Sequence, residues 1–245
     1  MTGRIRLDLA LEARGLLPSR ARARDAILRG TVTINGIAAS KPGLLVSDTD
    51  AIALDDPAAR YVSRAALKLI AGLDAGAIAV AGRTCLDVGA STGGFTQVLL
   101  ERGAAKVFAV DVGHGQLAPV VAEDSRVVAF EGLNARELSQ EQVPEPIYLL
   151  VCDVSFVSVT KVLTAPLALC RAGADAVVLI KPQFEVGREH VGKGGIVTDA
   201  AAIARAVDEV LAFMAAEGWD HRMSVPSPVA GGDGNREIVA AFRRR

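Results

Sequence analysis

Six short apolar runs, residues 84–88, 107–111, 127–130, 147–152, 176–180 and 238–242, alternate with helical stretches over the last three quarters of the chain. Strands this uniformly apolar have to be covered on both faces, which restricts the fold to an α/β class: a mostly parallel, Rossmann-like sheet with helices on either side. At 245 residues, with 51% hydrophobic and 22% charged residues, the chain can fill such a core. Disorder, collagen-like structure and repeat arrays are excluded on the same grounds.

The first 58 residues have a different texture. Leu7, Ala10 and Leu11 share one helical face, and Gly15 suits the left-handed cap that follows it. Ser19 is placed to cap a second helix, with Ala23, Ala26 and Ile27 at buried-stripe spacing. Val32 and Ile34 then alternate, Asn35-Gly36 is a two-residue hairpin signal, and Ile52 and Leu54 alternate again. Asp55-Asp56-Pro57 is a turn cluster, so the expected domains are a small α+β module over 1–58 and a sheet domain over 59–245.

Charge is uneven. Residues 1–30 carry seven arginines against three acids, whereas from residue 61 on there are 18 basic and 21 acidic residues. Arg4, Arg6, Arg20, Arg22, Arg24 and Lys41 are the candidates for one basic face that meets phosphates. No uncharged apolar run reaches the roughly 20 residues of a membrane span, and the start lacks a signal-peptide core. Cys85, Cys152 and Cys170 stand singly in apolar segments, without zinc spacing, and read as core. A soluble, cytoplasmic, metal-free monomer is the expectation.

The segment Cys85-Leu86-Asp87-Val88-Gly89-Ala90-Ser91-Thr92-Gly93-Gly94-Phe95 runs from a strand through a glycine-rich turn into a helix. Such a turn brings backbone close to a ligand at the carboxyl edge of the sheet. Serine at 91 departs from the dinucleotide fingerprint, and S-adenosylmethionine, which has an adenosine and no phosphate, does not require glycine there. Asp111, 22 residues after Gly89, is placed for a ribose diol, and Asn134 for an adenine edge. Asp153 and Lys181 end strands at the same edge, Lys68 lies on a helix with Ala65, Leu69 and Gly72, and Glu237 opens the last strand after the loop 231–235. A second lysine nearby lowers a lysine's proton affinity and makes it a base, although each of the four residues alone reads equally as half of an ion pair. The loop 187–194 has phosphate-loop spacing except that Gly194 stands where a magnesium-binding hydroxyl belongs, and it reads better as a basic lid over substrate. Arg243, Arg244 and Arg245 read as a solvated tail.

Taken together, the D-V-G-A-S-T-G-G-F turn, V-C-D-V-S-F, I-K-P-Q-F-E and G-N-x-E, preceded by S-R-A-A-L-K-L, resemble the TlyA family of bacterial ribosomal RNA 2′-O-methyltransferases, relatives of the FtsJ/RrmJ group. Residues 30–36, G-T-V-T-I-N-G, resemble the signature of the RNA-binding module named after ribosomal small-subunit protein four. The resemblance implies a catalytic tetrad of Lys68, Asp153, Lys181 and Glu237. It implies an S-adenosylmethionine site at Asp87 and Gly89 through Phe95 with Asp111 and Asn134. It also implies a cytidine ribose in assembled subunits as substrate. The chain departs from the family at Arg60-Tyr61-Val62, where a tryptophan is frequent, and at Arg236 beside the tetrad. A non-catalytic RNA-binding assembly factor on the same scaffold and a nicotinamide-dependent oxidoreductase remain as other readings; the haemolysin names that some members carry find no pore-like feature here.

Overall fold

A computed structural model describes residues 3–231 and 234–245. Contacts divide it into two units, up to Arg60 and from Tyr61. In the first, strand β1 (Ile5–Arg6) leads into helix α1 (Leu7–Ala13), followed by α2 (Arg20–Leu28), β2 (Val32–Ile34), β3 (Ile37–Ala38), β4 (Leu45–Val46) and β5 (Ile52–Leu54). Ser19 caps α2 by accepting a hydrogen bond from the Arg22 N–H at 3.3 Å. Asn35 and Gly36 both have positive φ, 51° and 81°, as a two-residue hairpin turn demands. Asn35 also accepts from the Ala51 N–H and donates to Asp50, each at 2.9 Å, which ties the hairpin to β5. Leu7, Leu11, Ala26, Ile27 and Val32 close the module's core.

The second unit opens with α3 (Ala66–Ala75), β6 (Thr84–Val88), α4 (Gly94–Glu101), β7 (Lys106–Asp111), α5 (Pro119–Ala122), β8 (Val127–Glu131) and β9 (Ile147–Cys152). It continues through α6 (Thr164–Ala168), β10 (Cys170–Ile180), α7 (Pro182–Glu185), α8 (Ala200–Ala216), β11 (Trp219–Pro226) and β12 (Ile238–Arg244). Among the described residues the sheet has seven strands in the order β11-β12-β10-β9-β6-β7-β8. β8, β7, β6, β9 and β10 are parallel, and β12 runs antiparallel between β10 and β11. Alternate residues go to opposite cores: Leu86, Val88, Leu150, Cys152 and Ile180 pack under α6 and α8, whereas Cys85, Leu149, Val151 and Leu179 pack under α3 and α4. All three cysteines are buried.

Two readings of the sequence change here. β11 is a strand with no apolar run of its own; it pairs with β12 from the sheet edge, and most of its side chains are exposed. The terminal arginines are engaged rather than solvated. Arg243 holds the nearly buried Asp175 at 2.9 Å together with Arg83 at 2.6 Å, Arg244 bonds the carbonyls of Leu167 and Cys170, and Arg245 meets Asp220 at 2.8 Å. No helix among the described residues is long and apolar enough to cross a membrane.

Chain order in the sheet reverses between β6 and β9, and an open parallel sheet forms its crevice outside the carboxyl ends of two such strands. Gly89 follows β6 and Asp153 follows β9, so the fold delivers both to that crevice.

Candidate active site

Backbone conformation builds the turn after β6. Gly89 has φ +84°, and a Cβ there would lie 2.9 Å from the Asp153 carbonyl oxygen, so the cofactor-type turn and the segment after β9 touch backbone to backbone. Gly93 has φ +93°, with Leu117 Cδ1 2.8 Å from where its Cβ would be. Ser91 takes the left-handed conformation that its glycine counterpart would take, φ +47°, and its N–H donates to Asp111 Oδ2 at 2.8 Å. Asp111 Oδ1 accepts from the Gly113 N–H at 2.7 Å, leaving one lone pair on each oxygen directed elsewhere.

These groups wall a cavity of about 560 Å³, whose lining includes Gly89, Ser91, Asp111, Asn134, Asp153 and Phe156. Asn134 caps a short turn through its Oδ1, 3.2 Å from both the N–H and the Nε of Arg136. Its amide NH2 has no hydrogen-bond partner among the described residues and can serve a ligand edge. A second, smaller cavity of about 140 Å³ adjoins through shared residues Gly89, Ser91, Asp153 and Ser155, and adds Thr92, Gly94, Phe95 and Lys181. The carboxylates of Asp111 and Asp153 on these walls suit a ligand with a ribose diol and a positive centre better than a diphosphate.

Asp87 stands apart from its expected place. It lines neither cavity: fully buried beneath the turn, it accepts a hydrogen bond from Thr96 Oγ1 at 2.6 Å, and its Oδ1 has no partner. Burial pushes this carboxyl up to about 7, with Thr96 acting in the opposite direction.

Lys68, Asp153, Lys181 and Glu237 come together as two ion pairs. Lys68 Nζ lies 2.5 Å from Glu237 Oε2, and Lys181 Nζ lies 2.6 Å from Asp153 Oδ1. Lys68, Lys181 and Glu237 are 6%, 6% and 3% exposed. Register brings the pairs to one edge, because β10 and β12 match Ile180 with Ile238 and the next step sets Lys181 opposite Glu237. Each lysine is partnered by its own carboxylate. Gly72 seats α3, the helix of Lys68, on the sheet: a Cβ there would lie 2.6 Å from Val239 Cγ1 and 2.7 Å from Val177 Cγ1.

Several residues at the site were given no role of their own by the sequence. Phe156, 90% exposed at the cavity wall, has φ +66°, a strained conformation for an aromatic residue, and its ring leans on Phe184 with centroids 5.2 Å apart. Ser155 Oγ meets Lys181 Nζ at 2.7 Å. Glu131 accepts from the N–H groups of Gly115, Gln116 and Leu117, which hold it below the ordinary carboxylate range and order the loop beside Asp111. Asn235, 2% exposed, accepts from the Val197 N–H and donates to the Gly195 carbonyl, tying the 192–197 segment to the approach to Glu237. In that approach, Gly232 and Asp233 lie outside the described residues. The 187–194 loop makes short turns at Arg188–His190 and Lys193–Gly195, and no α-helix opens until Ala200, unlike a phosphate loop.

In the module, Arg6 and Arg20 both bond the buried Asp8 at 2.9 Å, holding its carboxyl well below the usual range, and Arg22 donates to the Ala58 carbonyl at 2.7 Å. Half of the proposed phosphate-facing residues thus have internal work. Arg24 and Lys41 have no ion pair among the described residues, and Arg4 lies within electrostatic reach of Asp50.

Family comparison covers both units. Residues 61–244 match the FtsJ-like methyltransferase family and residues 5–52 the S4 domain. The 16S/23S rRNA (cytidine-2′-O)-methyltransferase TlyA of Mycobacterium tuberculosis H37Rv is 49% identical over 245 residues, 99% of this chain and 91% of that one. The 23S rRNA (cytidine-2′-O)-methyltransferase TlyA of Campylobacter jejuni is 38% identical over 77% of this chain and 73% of its own. A solved S-adenosylmethionine dependent methyltransferase from Mesorhizobium loti superposes with a TM-score of 0.54 at 14% identity, over 73% of this chain and 98% of that one, and shares the fold.

Proposed function

This chain belongs to the TlyA family of FtsJ-like methyltransferases, and from that premise we propose that it methylates the ribose 2′-hydroxyl of a ribosomal RNA cytidine within assembled ribosomal subunits. The observation that carries the reading is the pair of ion pairs, Lys181 with Asp153 and Lys68 with Glu237, at the edge of a cavity walled by the Gly89 turn. S-adenosylmethionine, when bound, supplies an electrophilic methyl on a cationic sulfur. The chain's own part is to hold, orient and deprotonate. Asp111 receives the ribose diol, Asn134 the adenine edge, and the backbone of Gly89 through Phe95 the remainder. Asp153 aims Lys181 Nζ into the small cavity, where Lys181 accepts the 2′-hydroxyl proton. Lys68 and Glu237 supply the second ion pair at the same strand edge. Most of the rate gain comes from positioning, because the methyl donor is intrinsically reactive. Phe156 offers an exposed ring on which a nucleobase can stack.

Domain roles follow the same premise: residues 1–58 dock RNA and 59–245 carry the chemistry. Two relatives differ in the subunits their names specify, 16S with 23S and 23S alone. The fuller coverage of the first favours the broader range here. Tritium transfer from labelled S-adenosylmethionine to purified small and large subunits, followed by mapping of the modified nucleotide, tests the reading. Lys181→Ala is expected to abolish transfer with cofactor affinity nearly unchanged, and full activity in that variant removes Lys181 from the base role.

A further inference from the structure

We propose that Ser155 is a positioning residue for Lys181, fixing the direction of its Nζ and providing the outlet for the proton that Nζ collects. The inference rests on the methyltransferase reading above and extends it to a residue outside the tetrad. Ser155 Oγ is 2.7 Å from Lys181 Nζ, while Asp153 Oδ1 is 2.6 Å away on the same nitrogen. Ser155 Oγ takes one of the three directions in which an ammonium can donate, while Asp153 holds the same nitrogen by charge, so Nζ is fixed from two sides. A lysine held by Asp153 alone could swing about that single contact.

Exposure separates the roles of the two partners. Lys181 is 6% exposed, whereas Ser155 is an exposed residue that lines both cavities. Asp153 therefore serves as the inner partner and Ser155 as the one that reaches solvent. The backbone is bent to achieve this. Phe156, the next residue, sits at φ +66°, and such strain in a non-glycine residue persists only where the surroundings impose it. Glu185 anchors the far side of this bend by accepting from Ser158 Oγ at 2.6 Å and from the Val159 N–H at 2.9 Å. The segment between Asp153 and Val159 is thus pinned at both ends.

The proton balance is as follows. Lys181 first sheds the proton of its resting ion pair through Ser155 Oγ to water; as the oxygen–carbon bond forms and the carbon–sulfur bond breaks, the electron pair of that bond stays on sulfur, and the 2′-hydroxyl proton moves to the freed Lys181 Nζ. Lys181 then returns to its neutral state by passing a proton to Ser155 Oγ as the Ser155 hydroxyl releases its own proton to water. Nothing beyond the acceptor hydroxyl, the methyl donor and water takes part.

The test compares Ser155→Ala and Ser155→Thr with the parent in steady-state transfer to subunits, alongside calorimetric cofactor binding. Loss of a hydrogen bond to a charged base predicts a kcat lower by about tenfold or more in Ser155→Ala. KM for subunit and the cofactor Kd are expected to stay near the parent values, and Ser155→Thr, which keeps the hydroxyl, to recover most of kcat. Parental kcat in Ser155→Ala overturns the proposal, and so does a loss that follows cofactor affinity or that threonine fails to recover. Absence of transfer by the parent itself would instead remove the methyltransferase reading, and this assignment with it.

Discussion

At the residue scale, Asp87 is the most unusual group in the sheet domain. It is conspicuous in the sequence as the acid before a glycine turn, and that pattern alone points at a ligand; only packing reveals that α4 seals it and Thr96 occupies one of its oxygens. Its folded value of about 7 lies above the ordinary 3.8, so the folded state holds the proton more tightly than the unfolded state. The associated stability is complete below about pH 4 and declines as pH rises to about 7, a total of roughly 4 kcal/mol. Asp87→Asn removes the titration. Urea unfolding of cofactor-free protein at pH 5 and pH 8 is expected to show the variant gaining on the parent by about 2 to 3 kcal/mol between the two pH values. Parallel pH dependence in the two proteins would mean that Asp87 is ionised throughout. Lys68, Asp153, Lys181 and Glu237 stood out in the sequence because charge next to apolar segments needs a partner, and the family resemblance groups the four. Their pairing was not legible: sequence separation says nothing about which lysine meets which carboxylate, and 169 positions separate Lys68 from Glu237.

At the scale of elements, the strands buried on both faces were legible as apolar runs, with boundaries displaced by a few residues. β10 begins at Cys170 rather than 176 because the polar stretch Arg171 to Asp175 is carried into the sheet through an irregularity in its pairing with β9. β11 had no such signal, since a strand at the sheet edge with solvent around it needs no apolar run. Helix α3 shows the reverse situation, a feature of packing written in one residue. Gly72 lets α3 lie directly on Val177 and Val239, and a methyl group there meets both at under 3 Å. Alanine is the better helix former, by about 1 kcal/mol, but overpacking a core costs about 1 to 3 kcal/mol. Gly72→Ala is therefore expected to lower the urea midpoint and, by displacing Lys68, to reduce transfer to subunits. A higher midpoint would show that the sheet yields to the helix.

At the scale of the whole molecule, charge is unevenly divided along the chain. The stretch from residue 61 on is net acidic, and the surplus of arginines lies before it. Composition made that division visible, whereas the internal use of Arg6 and Arg20 to neutralise Asp8 was beyond it, because a count of charges does not say which arginine an acid meets. The consequence is that basic residues of the module are not equivalent. Reversing Arg24 and Lys41 together to glutamate is expected to weaken subunit binding and lower the slope of log affinity against log salt by about 2, with the thermal midpoint little changed. An unchanged slope would place the phosphate contacts elsewhere. The three cysteines give the molecule a further practical property. All are buried, and desolvation pushes their thiols up to about 12, so none presents a thiolate near neutral pH. The native chain is consequently a blank background for maleimide chemistry, and a single cysteine introduced at Ile37, 74% exposed on the module's hairpin, becomes a selective address for a fluorophore that can follow docking onto the ribosome in real time.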